Sequence, residues 1–173
     1  MIGFREVDLG RDLGRLHQWL NQSHVLPYWT QDDPLPKVRD TITERAANED
    51  QTLYIGYLDH VPMSYWETYW AVEDRVARYY DADLADQGIH LLIGPPEYLG
   101  HSHAKPLIET MLAFQFQHPE TQRVVVEPDV RNEKVIHIFE KCGFKHHKQI
   151  QLDDKRAQLM ICRRETFESE VSA

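Results

Sequence analysis

A chain of 173 residues is the length of one domain, and 42% hydrophobic with 27% charged residues is an ordinary globular composition. Lys and Arg number 19 against 28 Asp and Glu, a formal charge of −9, and no basic stripe appears, which argues against a nucleic-acid partner. An acidic chain suits a cationic small substrate, although acidity also serves solubility alone.

In chain order, Ile2 to Val7 reads as a strand, and Arg11 to Asn21 as a helix, with Leu13, Leu16 and Leu20 at helical spacing. The early Asp and Glu residues here break any long apolar run, so we expect neither a signal peptide nor a membrane span, and a cytoplasmic setting. SHVLPYWTQDDPLP reads as an ordered loop, and Pro36 to Asn48 as a moderately polar helix. Gln51 to Leu58 and Pro62 to about Val72 form a hairpin turning at Asp59-His60. Glu73 to Gln87 is acidic and irregular. Gly88 to Gly94 (GIHLLIG) has the continuous apolarity of a strand buried on both faces, stopped by Pro95-Pro96.

Gly100 to Gln117 resumes a helix, Arg123 to Glu127 is a buried strand, and Lys134 to Lys141 a short helix with Gly143 as its C-cap. Phe144 to Gln151 and Ala157 to Arg164 are the last strands, and Glu165 to Ala173 reads as a frayed tail. We therefore expect one α/β (α+β) domain over 1–165, a mixed sheet of about seven strands with about four helices, and a tail over 166–173. Cys142 and Cys162 have neither metal-ligand spacing nor the density of a disulfide scaffold, and the pair His101 and His103 lacks a nearby third ligand, so no metal is expected.

Two blocks carry chemistry. In HLLIGPPEYLGHSHAKPL, small residues at Gly100, Ser102 and Ala104 would let backbone N–H groups approach an anion at a helix start; a tight strand-to-helix connection is the plain alternative. In VVVEPDVRNEKVIHIFEKCGF, a buried strand, a polar break and a short helix closed by Cys-Gly-Phe follow in turn. Together they resemble the GNAT acetyltransferase superfamily, over roughly Ile2 to Arg164. That resemblance implies acetyl-CoA as cosubstrate, splayed fourth and fifth strands that admit its pantetheine arm, and a thioester oriented by strand backbone at Leu92 and Ile93. It also implies a pyrophosphate held by Gly100, His101, Ser102, His103 and Ala104, with Asn132 and Phe139 beside the cofactor; a plain helix N-cap is the alternative for Asn132. Two departures are visible. The family's Q/R-x-x-G-x-G/A pattern falls on Leu99, Ser102 and Ala104, and Phe139 stands where many relatives carry a Tyr that protonates the leaving thiolate.

PMSYWETYW, YYDAD, DQGIHLLIGPPEYLG and EPDVRN further resemble the siderophore branch, which acetylates hydroxylamines such as Nε-hydroxylysine or N-hydroxy-diaminoalkanes. Aminoglycoside N-acetyltransferases are similar in layout but carry Asp where this chain has His90. An ammonium needs a carboxylate to hold and deprotonate it, whereas a hydroxylamine arrives largely neutral and needs only a mild base. An imidazole with pKa about 6.5 suits that task. His90 is thus the candidate base, with a satisfied core histidine as the plain alternative. Asp129 either orients His90 or holds the substrate O–H, or else makes a local Asx turn or helix cap. Glu67 and Tyr69 alternate with Trp66 and Trp70 on one strand and share a face expected to bind the substrate; Glu67 is a candidate ammonium partner or a surface acid, and Trp29 a candidate cover for an aliphatic chain or a loop-anchoring aromatic. The partners expected are a small cationic amine or hydroxylamine and acetyl-CoA, for a monomer or homodimer. Two other readings stand open: an aminoglycoside or polyamine N-acetyltransferase, and a non-catalytic acyl-CoA-binding module.

Overall fold

Two alternations in the chain, a 3.6-residue one near the N-terminus and runs of strand-forming residues after it, are realised in the computed structural model, which describes residues 1–29, 33–100 and 102–171. Its elements are β1 (Ile2–Glu6), α1 (Leu9–Leu20), α2 (Leu26–Trp29), α3 (Leu35–Ala47), β2 (Gln51–Leu58), β3 (Val61–Trp70), β4 (Gln87–Ile93) and α4 (Ala104–Gln115). They continue with β5 (Arg123–Val126), α5 (Glu133–Lys141), β6 (Lys145–Gln151), β7 (Arg156–Arg163) and α6 (Arg164–Val171). The seven strands run β1-β2-β3-β4-β5-β7-β6. Among the described residues, Gln87 and Gly88 of β4 are in register with β5, opposite Val124 and Val125 in parallel.

The chain forms two compact units, Met1–Thr68 with His90–His103, and Tyr69–Ile89 with Ala104–Ala173. In the first, α1 starts where the Asp8 side chain accepts from the Gly10 N–H, and presents Leu13, Leu16, Trp19 and Leu20 to a core shared with Val38 and Ile42 of α3, Leu53, Ile55, Tyr65 and Leu92. Asp12, wholly buried on α1, is held by Arg5 and Arg15. The hairpin turn places Asp59 (φ 48°) and His60 (φ 69°) in the left-handed region, the backbone of a two-residue turn matched to strand twist.

In the second unit, β7 pairs antiparallel with β5 and with β6, and Tyr69, Val125, Ile150, Leu159 and Ile161 share one core. The α5 helix is capped by Asn132, whose side chain accepts from the Val135 N–H at 3.4 Å, and ends at Gly143 with φ +98°.

Five expectations are corrected. The loop at 23–36 contains a short helix, α2, although 30–32 lie outside the described residues. The helix expected from Gly100 starts at Ala104, because Gly100 and Ser102 are left-handed. Residues 164–171 are helical rather than frayed: Phe167 is buried against Phe116, and the Arg164 guanidinium donates to the Thr121, Phe116 and His118 carbonyls. With α2 and α6 there are six α-helices among the described residues, not about four. Finally, β4 is not buried on both faces: Gly88, Ile89 and Leu92 are buried, while His90, Leu91 and Ile93 keep part of their surface.

Candidate active site

His90 is the one ionisable residue of β4, and its partly exposed ring meets a residue of the neighbouring strand. Glu67 of β3 is buried, at 4% exposure, and lies 3.0 Å from His90 Nδ1 through Oε1. Its other oxygen, Oε2, accepts from the Tyr65 hydroxyl at 2.7 Å and from Arg45 Nη1 at 2.9 Å. Tyr65 reaches it because residues two apart on a strand share a face. Arg45 comes from the last turn of α3.

Burial alone would push the Glu67 carboxyl up, but the His90 hydrogen bond, the Arg45 charge and the Tyr65 hydroxyl together hold it down at about 2. It is therefore an anion that can only accept. Nδ1 of His90 must then carry the proton on this bond, which makes Nε2 the basic nitrogen of the neutral ring. Burial and the adjacent carboxylate push the Tyr65 hydroxyl well above the usual phenol range, so it stays a donor. Burial works against the Arg45 charge, but Glu67 and Tyr65 together outweigh it and the guanidinium is raised. Trp29 stands edge-on to both Tyr65 and His90, with ring centroids 5.7 and 6.5 Å away.

The far end of β4 is pinned twice. His24 Nε2 lies 2.8 Å from the Ile93 carbonyl, and the Gly94 N–H donates to Met63 O at 2.9 Å. Beyond it, the backbone enters the left-handed region at Gly100 (φ +76°) and again at Ser102 (φ +58°) just before α4. Ser102 occupies a place that the family pattern gives to glycine, and its backbone has the conformation for which glycine is suited. His103 stacks edge-on to Tyr98 at 5.6 Å. His101 lies outside the described residues.

Other expected site residues are engaged differently. Both oxygens of Glu67 are taken by protein donors, so it is not an open ammonium partner but stands behind His90. Tyr69 is a core residue: its hydroxyl donates to buried Glu127 at 2.8 Å, and its ring fills the space where Gly88 lacks a side chain. Asp129 Oδ1 accepts from the Arg131 N–H at 2.9 Å and Nε at 3.0 Å, and Oδ2 from Nη2 at 2.7 Å. Those hydrogen bonds hold its carboxyl below the usual range against a smaller effect of burial. Asp129 thus makes the local Asx turn, and Glu67 is the carboxylate on His90 Nδ1. Asn132 is the N-cap already described, and Phe139 is buried against Phe144, ring centroids 5.1 Å apart, with no polar atom to offer.

Sequence reasoning missed Tyr65, Arg45 and His24. Alternation along β3 signals Tyr65 beside Glu67; nothing in the sequence connects Arg45 or His24 to β4. Both cysteines are buried, which pushes each thiol up to about 12, far from an activated thiolate.

A strand bearing an imidazole, followed by a left-handed loop and a helix, now meets an independent result: residues 8–152 match the acetyltransferase (GNAT) domain family. The chain belongs to this family. It is 32% identical to the N-hydroxyputrescine acetyltransferase of Acinetobacter baumannii, over 94% of this chain and 78% of that protein. It is 31% identical to the N(6)-hydroxylysine O-acetyltransferase of Escherichia coli, over 99% of this chain but only 55% of that longer protein, so the chain spans about half of that relative's length. Among solved structures, aminoglycoside acetyltransferase AAC(6')-Ib in complex with coenzyme A and kanamycin superposes with a TM-score of 0.88 at 26% identity, covering 98% of both chains. This GNAT chain has no described helix long and apolar enough to cross a membrane.

Proposed function

We propose that this GNAT protein transfers the acetyl group of acetyl-CoA to the hydroxylamine nitrogen of a small N-hydroxylated diamine or hydroxylysine, as a cytoplasmic step in hydroxamate siderophore assembly. The observation that carries the reading is the His90 imidazole held by buried Glu67, a mild base whose carboxylate partner has both oxygens taken by protein donors. The named activities of the A. baumannii and E. coli relatives support the substrate class.

Acetyl-CoA suits the residues after β4. Left-handed backbone at Gly100 and Ser102 ahead of a helix start is the geometry that turns N–H groups toward a pyrophosphate. Backbone of β4 at Leu92 and Ile93 would orient the thioester, and its N–H groups would stabilise the oxyanion. Trp29, edge-on to His90, is a candidate wall for the substrate's aliphatic chain.

The chemistry is direct transfer. The neutral hydroxylamine nitrogen attacks the thioester carbonyl carbon and a C–N bond forms. His90 Nε2 takes the proton that the nitrogen loses, and Glu67 steadies the resulting imidazolium through Nδ1–H. The C–S bond breaks as the oxyanion collapses. The departing thiolate is protonated by water or by the imidazolium, since Phe139 carries no hydroxyl for the task.

Acetylation of aminoglycosides is the second reading, favoured by the fold shared with AAC(6')-Ib. A substrate panel separates the two. With acetyl-CoA saturating, CoA release should be fastest with N-hydroxylated diamines or hydroxylysine, slower with the parent amines and slowest with kanamycin. Kanamycin as the best substrate would overturn the assignment. Product analysis decides whether nitrogen or oxygen carries the acetyl group.

A further inference from the structure

We infer that Arg45 and Glu67 form a charge-compensated positioning pair that keeps His90 a neutral, Nδ1-protonated base and so matches the site to a nucleophile that arrives uncharged. The inference rests on His90 being the base and says what sets its state.

A lone carboxylate at hydrogen-bond distance from an imidazole favours the imidazolium, which cannot accept a proton. Here the carboxylate is not alone. Glu67 gives Oε1 to His90 and Oε2 to both Arg45 and the Tyr65 hydroxyl. A guanidinium cannot be deprotonated in this setting, so the Arg45–Glu67 pair has no net charge. The side chain of Glu67 is 5% exposed and that of Arg45 28%, so the pair is largely shielded from the solvent that would otherwise screen it. Among the described residues, β3 brings Glu67 and Tyr65 to this cluster, α3 brings Arg45, and α2 brings Trp29, which carries no charge.

Glu67 therefore contributes direction without a net field. It fixes which nitrogen holds the proton and where the ring points, while Arg45 cancels the charge that would protonate the other nitrogen. An ammonium substrate would require the opposite arrangement, an open and uncompensated carboxylate. Both oxygens of this one are spent, and it is buried.

The test measures the acidic limb of kcat/KM against pH with one N-hydroxylated diamine, together with 15N NMR of the His90 ring. Arg45→Met removes the charge, Arg45→Gln removes it but keeps an N–H donor, and Arg45→Lys keeps it. In the wild type the ring should show Nδ1 protonated and Nε2 bare above the limb. Arg45→Met and Arg45→Gln should move the limb to higher pH by about one unit, roughly a tenfold loss at a fixed pH below it, while Arg45→Lys leaves it in place. Glu67→Gln should move it to lower pH and erase the tautomer preference. A limb and an NMR titration unmoved in folded Arg45→Gln would overturn the inference, as would a wild-type ring protonated at Nε2. The NMR titration needs no turnover. A shifted titration with activity that ignores His90 would therefore sink the base assignment and leave the charge compensation standing.

Discussion

His90 of β4 and Glu67 of β3 meet at 3.0 Å, Nδ1 to Oε1, in a contact between one partly exposed ring and one buried carboxylate. Its consequence for stability is pH-dependent. Glu67 is held at about 2 against its ordinary 4.5, so the unfolded chain binds its proton more readily than the folded one. The contribution is complete above pH 4.5 and is lost as pH falls toward 2. Thermal melts of Glu67→Gln should be flatter than wild type across that window. At pH 7 the variant should be less stable by about 3 kcal/mol, because Arg45 keeps its charge and loses its counter-ion. Equal slopes in the two proteins would mean that Glu67 is not held as an anion.

Ser102 sits at φ +58°, where a side chain is disfavoured by about 1–2 kcal/mol and glycine is not. Ser102→Gly should keep coenzyme A affinity and hold or slightly raise Tm, despite the extra freedom it gives the unfolded chain. Ser102→Val should lower Tm, since a β-branched residue tolerates that backbone least. Ser102→Glu should weaken coenzyme A binding by calorimetry at least tenfold, through crowding and charge repulsion with the pyrophosphate. Unchanged affinity in a folded Ser102→Glu protein would remove this loop from cofactor binding.

Gly88 closes the short paired stretch of β4 and β5, and a Cβ built there falls 2.1 Å from the Tyr69 ring. The ring cannot retreat without breaking its hydroxyl bond to Glu127. Gly88→Ala should therefore cost about 1–3 kcal/mol, read as a lowered denaturation midpoint with an unchanged m-value. A midpoint equal to wild type would show that Tyr69 repacks freely.

Much of this was legible from residues alone. GIHLLIG announced β4 and put His90 on it, and Gly143 marked the end of α5, because strand apolarity and C-cap glycines are local properties. The loop after β4 was readable as small residues, although its left-handed backbone, and so the start of α4 at Ala104, was not. The partner of His90 is not legible in the sequence, for a physical reason. Alternation tells that Glu67 and Tyr69 share a parity, but not what each meets across the sheet, and Glu67 meets Arg45 and His90 while Tyr69 meets Glu127. Asp129 looked equally able to serve, until its turn with Arg131 claimed both oxygens. The tail gave no signal either. It is polar apart from Phe167, Val171 and Ala173, and what anchors it, besides Phe167, is Arg164 on carbonyls more than forty residues away.

The most direct measurement is kcat/KM of His90→Ala with an N-hydroxylated diamine or hydroxylysine and saturating acetyl-CoA. A positioned base is worth roughly a hundred- to ten-thousandfold, and that is the loss expected, with coenzyme A affinity and Tm close to wild type and the acidic limb of the rate profile gone. Turnover retained alongside a much earlier melt would contradict the account: His90 would be a packing residue, and the proton would leave by another group.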